Sequence, residues 1–260
     1  MNKSIKFGIG VLFLITLYGC GGSGSGSDSP SPTPPPTPAS KPPIDPNLTV
    51  PFPPAFAHIV QQGFNQPFTI SGSIDQSTPA HPMPPTQITG SGQLNLGAGV
   101  AATLLGFPVL QATEVITGST IANGVSTPLL ATGTIYYRSD NTTVATNIAG
   151  KFFLYLPVAY PATLKAGNTG SLESGTEHNL DGTIVTVCAS TVTRAYDVAS
   201  DSASSLLVTV IGDEKNGCVG DETQTQTVYR IDTAGNVSLV SITAVKFFLG
   251  SAFQTLIFMF

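Results

Sequence analysis

From residue 64 onward apolar and polar residues alternate in short runs closed by Gly, Pro, Asn or Asp, and this period of two commits the chain to half-buried β-strands. Phe68, Ile70 and Ile74 share one face of a strand, and Ile88, Leu94 and Leu96 share a face of another. Residues 119–122, Asn123-Gly124 and residues 125–127 read as a hairpin, because Asn-Gly takes the positive φ angles of a type I′ turn. Further strands are predicted over 109–116, 129–138, 151–156, 183–198, 205–211, 223–231 and 237–249. Only 54–62, stopped by Gly63, reads as a helix. The expected fold is all-β, with antiparallel sheets arranged as a sandwich or a barrel.

Composition agrees with that reading. The chain is 41% hydrophobic, enough for a sizeable core, and only 10% charged, with Ser, Thr, Asn, Gln and Gly supplying the polar faces. The two halves resemble each other at a nearly fixed offset. Thr89-Gly90 matches Asp181-Gly182, Val115-Ile116 matches Val210-Ile211, residues 132–136 match 225–229, and residues 151–154 match 246–249. Such spacing suggests two similar β units in tandem, 55–157 and 158–260, joined around 157–171. Chance similarity between strands of biased composition is the alternative.

At the N-terminus, Lys3 and Lys6 precede an apolar run over 7–18 that is too short to span a bilayer. The run ends in Leu17-Tyr18-Gly19-Cys20, which resembles the lipobox of bacterial lipoproteins. The resemblance implies that residues 1–19 are a signal peptide, that the chain is cut before Cys20, and that the Cys20 thiol takes a diacylglyceryl group, with fatty acids such as palmitate added. An ordinary secretory signal cut elsewhere is the competing reading. Each buried CH₂ contributes about 0.8 kcal/mol, so more than one acyl chain makes a stable anchor. Gly21 follows Cys20, where an Asp would retain the protein in the inner membrane, so the resemblance implies the outer membrane. Residues 21–29 are a Gly/Ser coil, and 30–54 hold 12 of the 21 prolines. Residues 20–54 thus read as a lipidated tether, of which 30–46 alone, at roughly 3.1 Å per residue, would reach on the order of 50 Å. A proline-rich ligand for a partner domain is the other use for such a segment.

Removal of Lys3 and Lys6 leaves 8 basic residues against 15 acidic ones, which excludes a nucleic-acid partner. Once Cys20 carries lipid, Cys188 and Cys218 remain, and an even pair in an exported chain reads as a disulfide. A hairpin turning near 200–203 brings the two opposite each other. A redox or metal role lacks the Cys-x-x-Cys spacing.

No motif assembles a catalytic site. His58, His81 and His178 show no metal-ligand spacing, no Gly-x-Ser-x-Gly occurs, and Gly150-Lys151 continues into Phe152 instead of Ser or Thr. Glu173, Glu177 and Asp181 are candidate acid/base carboxylates in what reads as an irregular polar loop. The acidic stretch 213–222 is a candidate calcium loop, although Lys215 interrupts the ligand pattern. Tyr136-Tyr137-Arg138 and Tyr229-Arg230 recur at matched places, as a duplicated ligand contact or, more simply, as core aromatics. Phe253, Phe258 and Phe260 end the chain in a strand whose terminal Phe resembles the closing strand of outer-membrane β-barrels. The sequence therefore predicts a lipid-anchored binding or structural module without cofactor or metal. Its partners would be the membrane, through the N-terminal lipid, and an envelope protein or small molecule. A hydrolase with a site assembled from distant residues and a carrier of an apolar ligand are the alternatives.

Overall fold

A computed structural model describes residues 45–75, 83–148, 150–218, 221–248 and 251–260. The signal segment, Cys20, most of the tether and His81 lie outside the described residues. In chain order the elements are β1 (Thr49–Pro51), α1 (Phe52–Gln62), β2 (Phe64–Ile74), β3 (Thr86–Leu96), β4 (Val100–Leu104), β5 (Phe107–Ala122), β6 (Val125–Tyr137), β7 (Thr143–Ile148), β8 (Lys151–Tyr155), β9 (Thr163–Lys165), β10 (Thr169–His178), β11 (Thr191–Ser200), β12 (Ser205–Lys215), β13 (Glu222–Asp232), β14 (Val237–Phe248) and β15 (Ser251–Met259).

Thirteen strands form one antiparallel sheet in the order β3-β2-β15-β14-β13-β12-β11-β10-β8-β7-β6-β5-β4. A further ladder between β3 and β5, from Ile88 opposite Ala122 to Leu96 opposite Glu114, closes twelve of them into a barrel and leaves β4 outside the ring. The first and last barrel strands meet, because β15 pairs with β2, Gln254 opposite Ile74 through Met259 opposite Thr69. β1 and β9 form a separate two-stranded ribbon.

The strand number explains the helix. About eight strands enclose a lumen that side chains alone can fill, and twelve leave room for more. That room is taken by α1. Phe52 and Ala55 pack with Leu172, Tyr196, Leu206, Val208 and Ile231 on one wall. Val60 packs with Leu96, Ala112, Ile135 and Tyr137 on the opposite wall. A second apolar body, including Phe68, Ile88, Ile116, Leu129, Ile242 and Phe258, fills the rest of the lumen directly from the strands.

Local chemistry sets the helix ends. Pro51 precedes it in an extended conformation and Pro53 stands in its first turn, where a missing N–H costs nothing. At the other end Gly63 takes φ 65° and donates its N–H to Ile59 O at 2.8 Å. A Cβ there would stand 2.0 Å from Leu96 O, so the step from helix into β2 requires glycine. Leu48, Val50 and Phe52 are buried, so the folded part begins before residue 54, where the tether was expected to end. The prolines that signalled a tether also suit the start of a helix.

The Asn123-Gly124 hairpin forms as expected, with φ of 50° and 75° and Ala122 opposite Val125. Five strands, β1, β4, β7, β9 and β10, were not anticipated. β10 carries a bulge between Ser171 and Ser174 that buries both Leu172 and Glu173, and this breaks the alternation a strand normally shows. β7 is buried on both faces and has no alternation to read. Conversely, the predicted strand over 183–198 begins only at Thr191. Asp181 caps the preceding turn through Thr183 N–H, and Cys188 has φ 60°.

The two halves share one sheet system, joined by β8 with β10 and by β15 with β2. Their sequence matches do not carry over to equivalent positions. Ile116 and Val210 lie in the lumen-facing rows, whereas their counterparts Ile211 and Val115 lie in the outer rows; Thr89-Gly90 is within β3 and Asp181-Gly182 is in a turn. Because side chains alternate at a period of two, a one-residue offset reverses every face.

The barrel's outer face is largely polar, with Thr69, Ser71, Ser91, Thr117, Thr132, Thr193 and Gln226 exposed among a few exposed apolar residues such as Ile121, Leu130 and Met259. A bilayer-spanning barrel carries an apolar band at those positions. Phe258 points inward, its ring 5.4 Å from that of Phe68. No helix among the described residues is long and apolar enough to cross a membrane.

Candidate functional site in the barrel lumen

Between α1 and the strands the lumen holds charge. Arg194, on β11, shares its inward parity with Val192, Tyr196 and Val198. Its Nη1 donates to Glu173 Oε2 at 2.7 Å, and its Nη2 donates to the Tyr155 hydroxyl at 3.0 Å. The guanidinium carbon stands 4.8 Å from the Tyr155 ring centroid, a cation–π contact in a site with little water to compete. Glu173 Oε1 accepts from the Tyr160 hydroxyl and from the Thr143 N–H at 3.3 Å. Both charges of this pair are desolvated and both are satisfied, the arrangement that a buried ion pair requires.

Across the lumen, Glu114 is 1% exposed, and neither carboxylate oxygen has a hydrogen-bond partner among the described residues. Burial pushes its carboxyl up to about 8, against an opposing pull from Arg194. Burial also raises Tyr137 and Tyr229 well above the ordinary phenol range, with Glu114 adding to both shifts. The three groups therefore stay protonated together near neutral pH, around a single guanidinium.

A cavity of about 70 Å³ lies beside this cluster, lined by Phe56 and Ile59 of α1 and by Tyr137, Glu173, Arg194 and Tyr229, among others. That volume suits a few water molecules. Pockets for drug-sized ligands run from about 300 to 1,000 Å³. The cluster supplies proton donors, acceptors and one fixed cation, but no nucleophile-base pair open to a substrate.

Of the candidate carboxylates, Glu173 moves from an expected loop into the lumen. Glu177 accepts from Ser190 N–H at 2.9 Å, and Asp181 caps its own turn through Thr183. His178 Nδ1 lies 2.9 Å from Gly182 O, a contact within one loop. His58 is on α1. The carboxylates of the acidic stretch 213–222 are each engaged by a neighbouring side chain: Glu214 with Lys151, Asp221 with Lys246 at 3.8 Å, Glu222 with Lys215 at 3.9 Å, and Asp213 with Gln224 at 3.1 Å. Among the described residues no three His, Cys, Asp or Glu side chains converge as metal ligands. The recurring Tyr-Arg elements also differ in role. Arg138 binds the carbonyls of Thr143 and Tyr155 at the barrel rim, whereas Arg230 pairs with Asp201 outside.

Cys188 and Cys218 are brought to disulfide distance, Cα to Cα 4.6 Å, where the β10–β11 loop meets the β12–β13 turn. The link closes a loop with a sequence separation of 30, worth about 3.5–4 kcal/mol in the chain-entropy model. Reduction should therefore lower stability by about that amount in urea titrations, provided both thiols resist alkylation before reduction. Thiols that react at once in the untreated protein would show that the pair is not bonded.

Reading the sequence missed Glu114 and Arg194. Both had a parity signal: Glu114 stands in register with Ala112 and Ile116, and Arg194 with Val192 and Tyr196.

The class of molecule is a closed twelve-stranded antiparallel barrel with an internal helix and a charged lumen. Compared with protein-family models, curated protein sequences and solved structures, the chain matches none.

Proposed function

We propose that the chain is a lipid-anchored envelope protein, displayed from the outer membrane by Cys20 and its tether, whose barrel acts by binding or structural interaction rather than by catalysis. The observation that carries this reading is the filled lumen. α1 and the inward side chains leave a cavity of about 70 Å³, so the exterior is the surface through which the barrel meets other molecules. The polar outer strands suit a body held in water beside a membrane. A carrier of an apolar ligand would need a cavity several times larger. A hydrolase would need its polar groups open to substrate, and those of Glu114 and Glu173 are enclosed.

Replacing Cys20 with Ser should abolish incorporation of labelled palmitate and move the chain from the membrane to the soluble fraction. Undiminished labelling would remove the anchor from the proposal. Native mass spectrometry of the purified protein should show the polypeptide with its acyl chains alone. A stoichiometric co-purifying small molecule would instead favour the carrier.

A further inference from the structure

Among the described residues, β4 alone of the large sheet's strands stays outside the closed ring. It pairs with β5 along one edge, from Val100 opposite Gln111 to Leu104 opposite Phe107, and among the described residues no strand pairs with its other edge. Just before it, Gly99 donates its N–H to Val60 O of α1 at 2.7 Å, away from β5. Successive residues of an antiparallel strand direct their backbone groups to opposite edges. Ala101 and Thr103 therefore present N–H and C=O on the same open edge as Gly99. Pro108, opposite Thr103, has no N–H to offer, which agrees with Thr103 facing away from β5.

Edge strands are normally protected by charge, by proline or by a bulge. The segment Val100-Ala101-Ala102-Thr103-Leu104 has none of these. Its neighbourhood is apolar and accessible: Val100 is 62% exposed and Phe107 71%. Val100, Ala102 and Leu104 share one face, and Phe107, opposite Leu104, lies on that same face.

We propose that two copies of this chain pair antiparallel through their β4 edges, about a two-fold axis at Ala102. Ala101 of each copy exchanges backbone hydrogen bonds with Thr103 of the other, and Val100 of each packs against Leu104 of the other. The five-residue segment is complementary to itself, as an isologous contact requires. Charge also favours a second copy. The chain is acidic, yet between residues 76 and 137 its only charged residue is Glu114, which is buried. The β4–β5 hairpin itself, residues 99–111, carries no charged side chain, so two acidic copies meet there through uncharged strands, with Asp181 beside Leu105 at one end of each, and their hairpins join as a four-stranded sheet.

Ala102→Cys in the purified full chain carrying Cys20→Ser, so that the introduced thiol is the free one, tests the geometry. Residues facing each other at a position without mutual hydrogen bonds have Cα atoms about 4.5 Å apart, within disulfide reach. Under mild oxidation the variant should run at twice the monomer mass on non-reducing gels. The Cys20→Ser parent and, in the same background, Thr117→Cys, on the outer face of the barrel, should remain monomeric. Adding Thr103→Pro, which deletes an outward N–H, should lower the cross-linked fraction about tenfold or more with little change in melting temperature. Val100→Lys, at an exposed position, should produce the same loss by charge alone. A monomeric Ala102→Cys, or a cross-link indifferent to both added substitutions, would overturn the proposal.

Discussion

The parent barrel should lose stability as pH rises from about 5 to about 8, and replacing Glu114 with Gln should flatten that decline. In the folded chain burial pushes this carboxyl from 4.5 up to about 8, and neither oxygen has a hydrogen-bond partner among the described residues. Between those values the native state holds a proton that the unfolded chain has released. Stability therefore falls with rising pH, by about 1.4 kcal/mol per unit while the difference in protonation is complete. The contribution is fully present below the unfolded value and is lost as pH passes through the folded one. Across the window the loss is on the order of 4 kcal/mol. Arg194 opposes the shift, while Tyr137 and Tyr229, both raised by burial, stay neutral throughout. Urea titrations of both proteins at several pH values isolate the effect as a difference in slope. Gln cannot ionise, so its slope loses this component whatever the substitution costs in absolute stability. Parallel slopes would mean that Glu114 is paired or solvated in solution.

The alternation of side chains made the fold class legible, and it did so wherever a strand had one wet and one dry face. β2 and β3, with Phe68, Ile70, Ile88 and Leu94 at every second position apart from Gly, are the clearest cases. Where that asymmetry is absent the signal vanishes. β7 is dry on both sides, and β10 changes parity at its bulge, so neither could be read. Closure was illegible for another reason. The β15–β2 and β3–β5 ladders are long-range hydrogen-bond registers, and period two records which face is buried, not which strand lies beside which. The lumen cluster was half legible. Charges at inward parity mark Glu114 and Arg194 as unusual, but Glu173, displaced by the bulge, reaches Arg194 only once β10 and β11 pair. The resemblance of residues 132–136 to 225–229 reflects the small alphabet of Thr, Val, Ile and Tyr that suits any strand.

Arg194→Met should destabilise the barrel by about 3–5 kcal/mol, the usual cost of leaving a buried charge without its partner. Arg194 has an 11% exposed side chain and Glu173 a 2% exposed one, so water does not replace what the substitution removes. Glu173 keeps the Tyr160 hydroxyl and the Thr143 N–H, which satisfy oxygens but do not neutralise charge. Tyr155 keeps its contact with the Thr146 hydroxyl but loses the Arg194 donor and the cation over its ring. Arg194→Lys should recover only part of the loss, since one ammonium cannot serve the carboxylate and the hydroxyl in the planar geometry of a guanidinium. Combining Arg194→Met with Glu173→Gln separates the two contributions, because the orphaned charge is then gone and the remaining cost is that of contacts and packing. The double variant should be more stable than Arg194→Met alone. Equilibrium unfolding in urea measures all four proteins, and a loss below about 1 kcal/mol for Arg194→Met would place the pair in solvent-like surroundings. The position of the pair gives the result a wider meaning. Arg194 and Glu173 line the cavity beside Phe56 and Ile59, so the same residues that neutralise each other also form the wall against which α1 is held. A barrel of twelve strands is too wide to be filled by its own side chains, and the ion pair lets a polar sector of its wall accept an apolar helix without leaving a buried charge exposed to it.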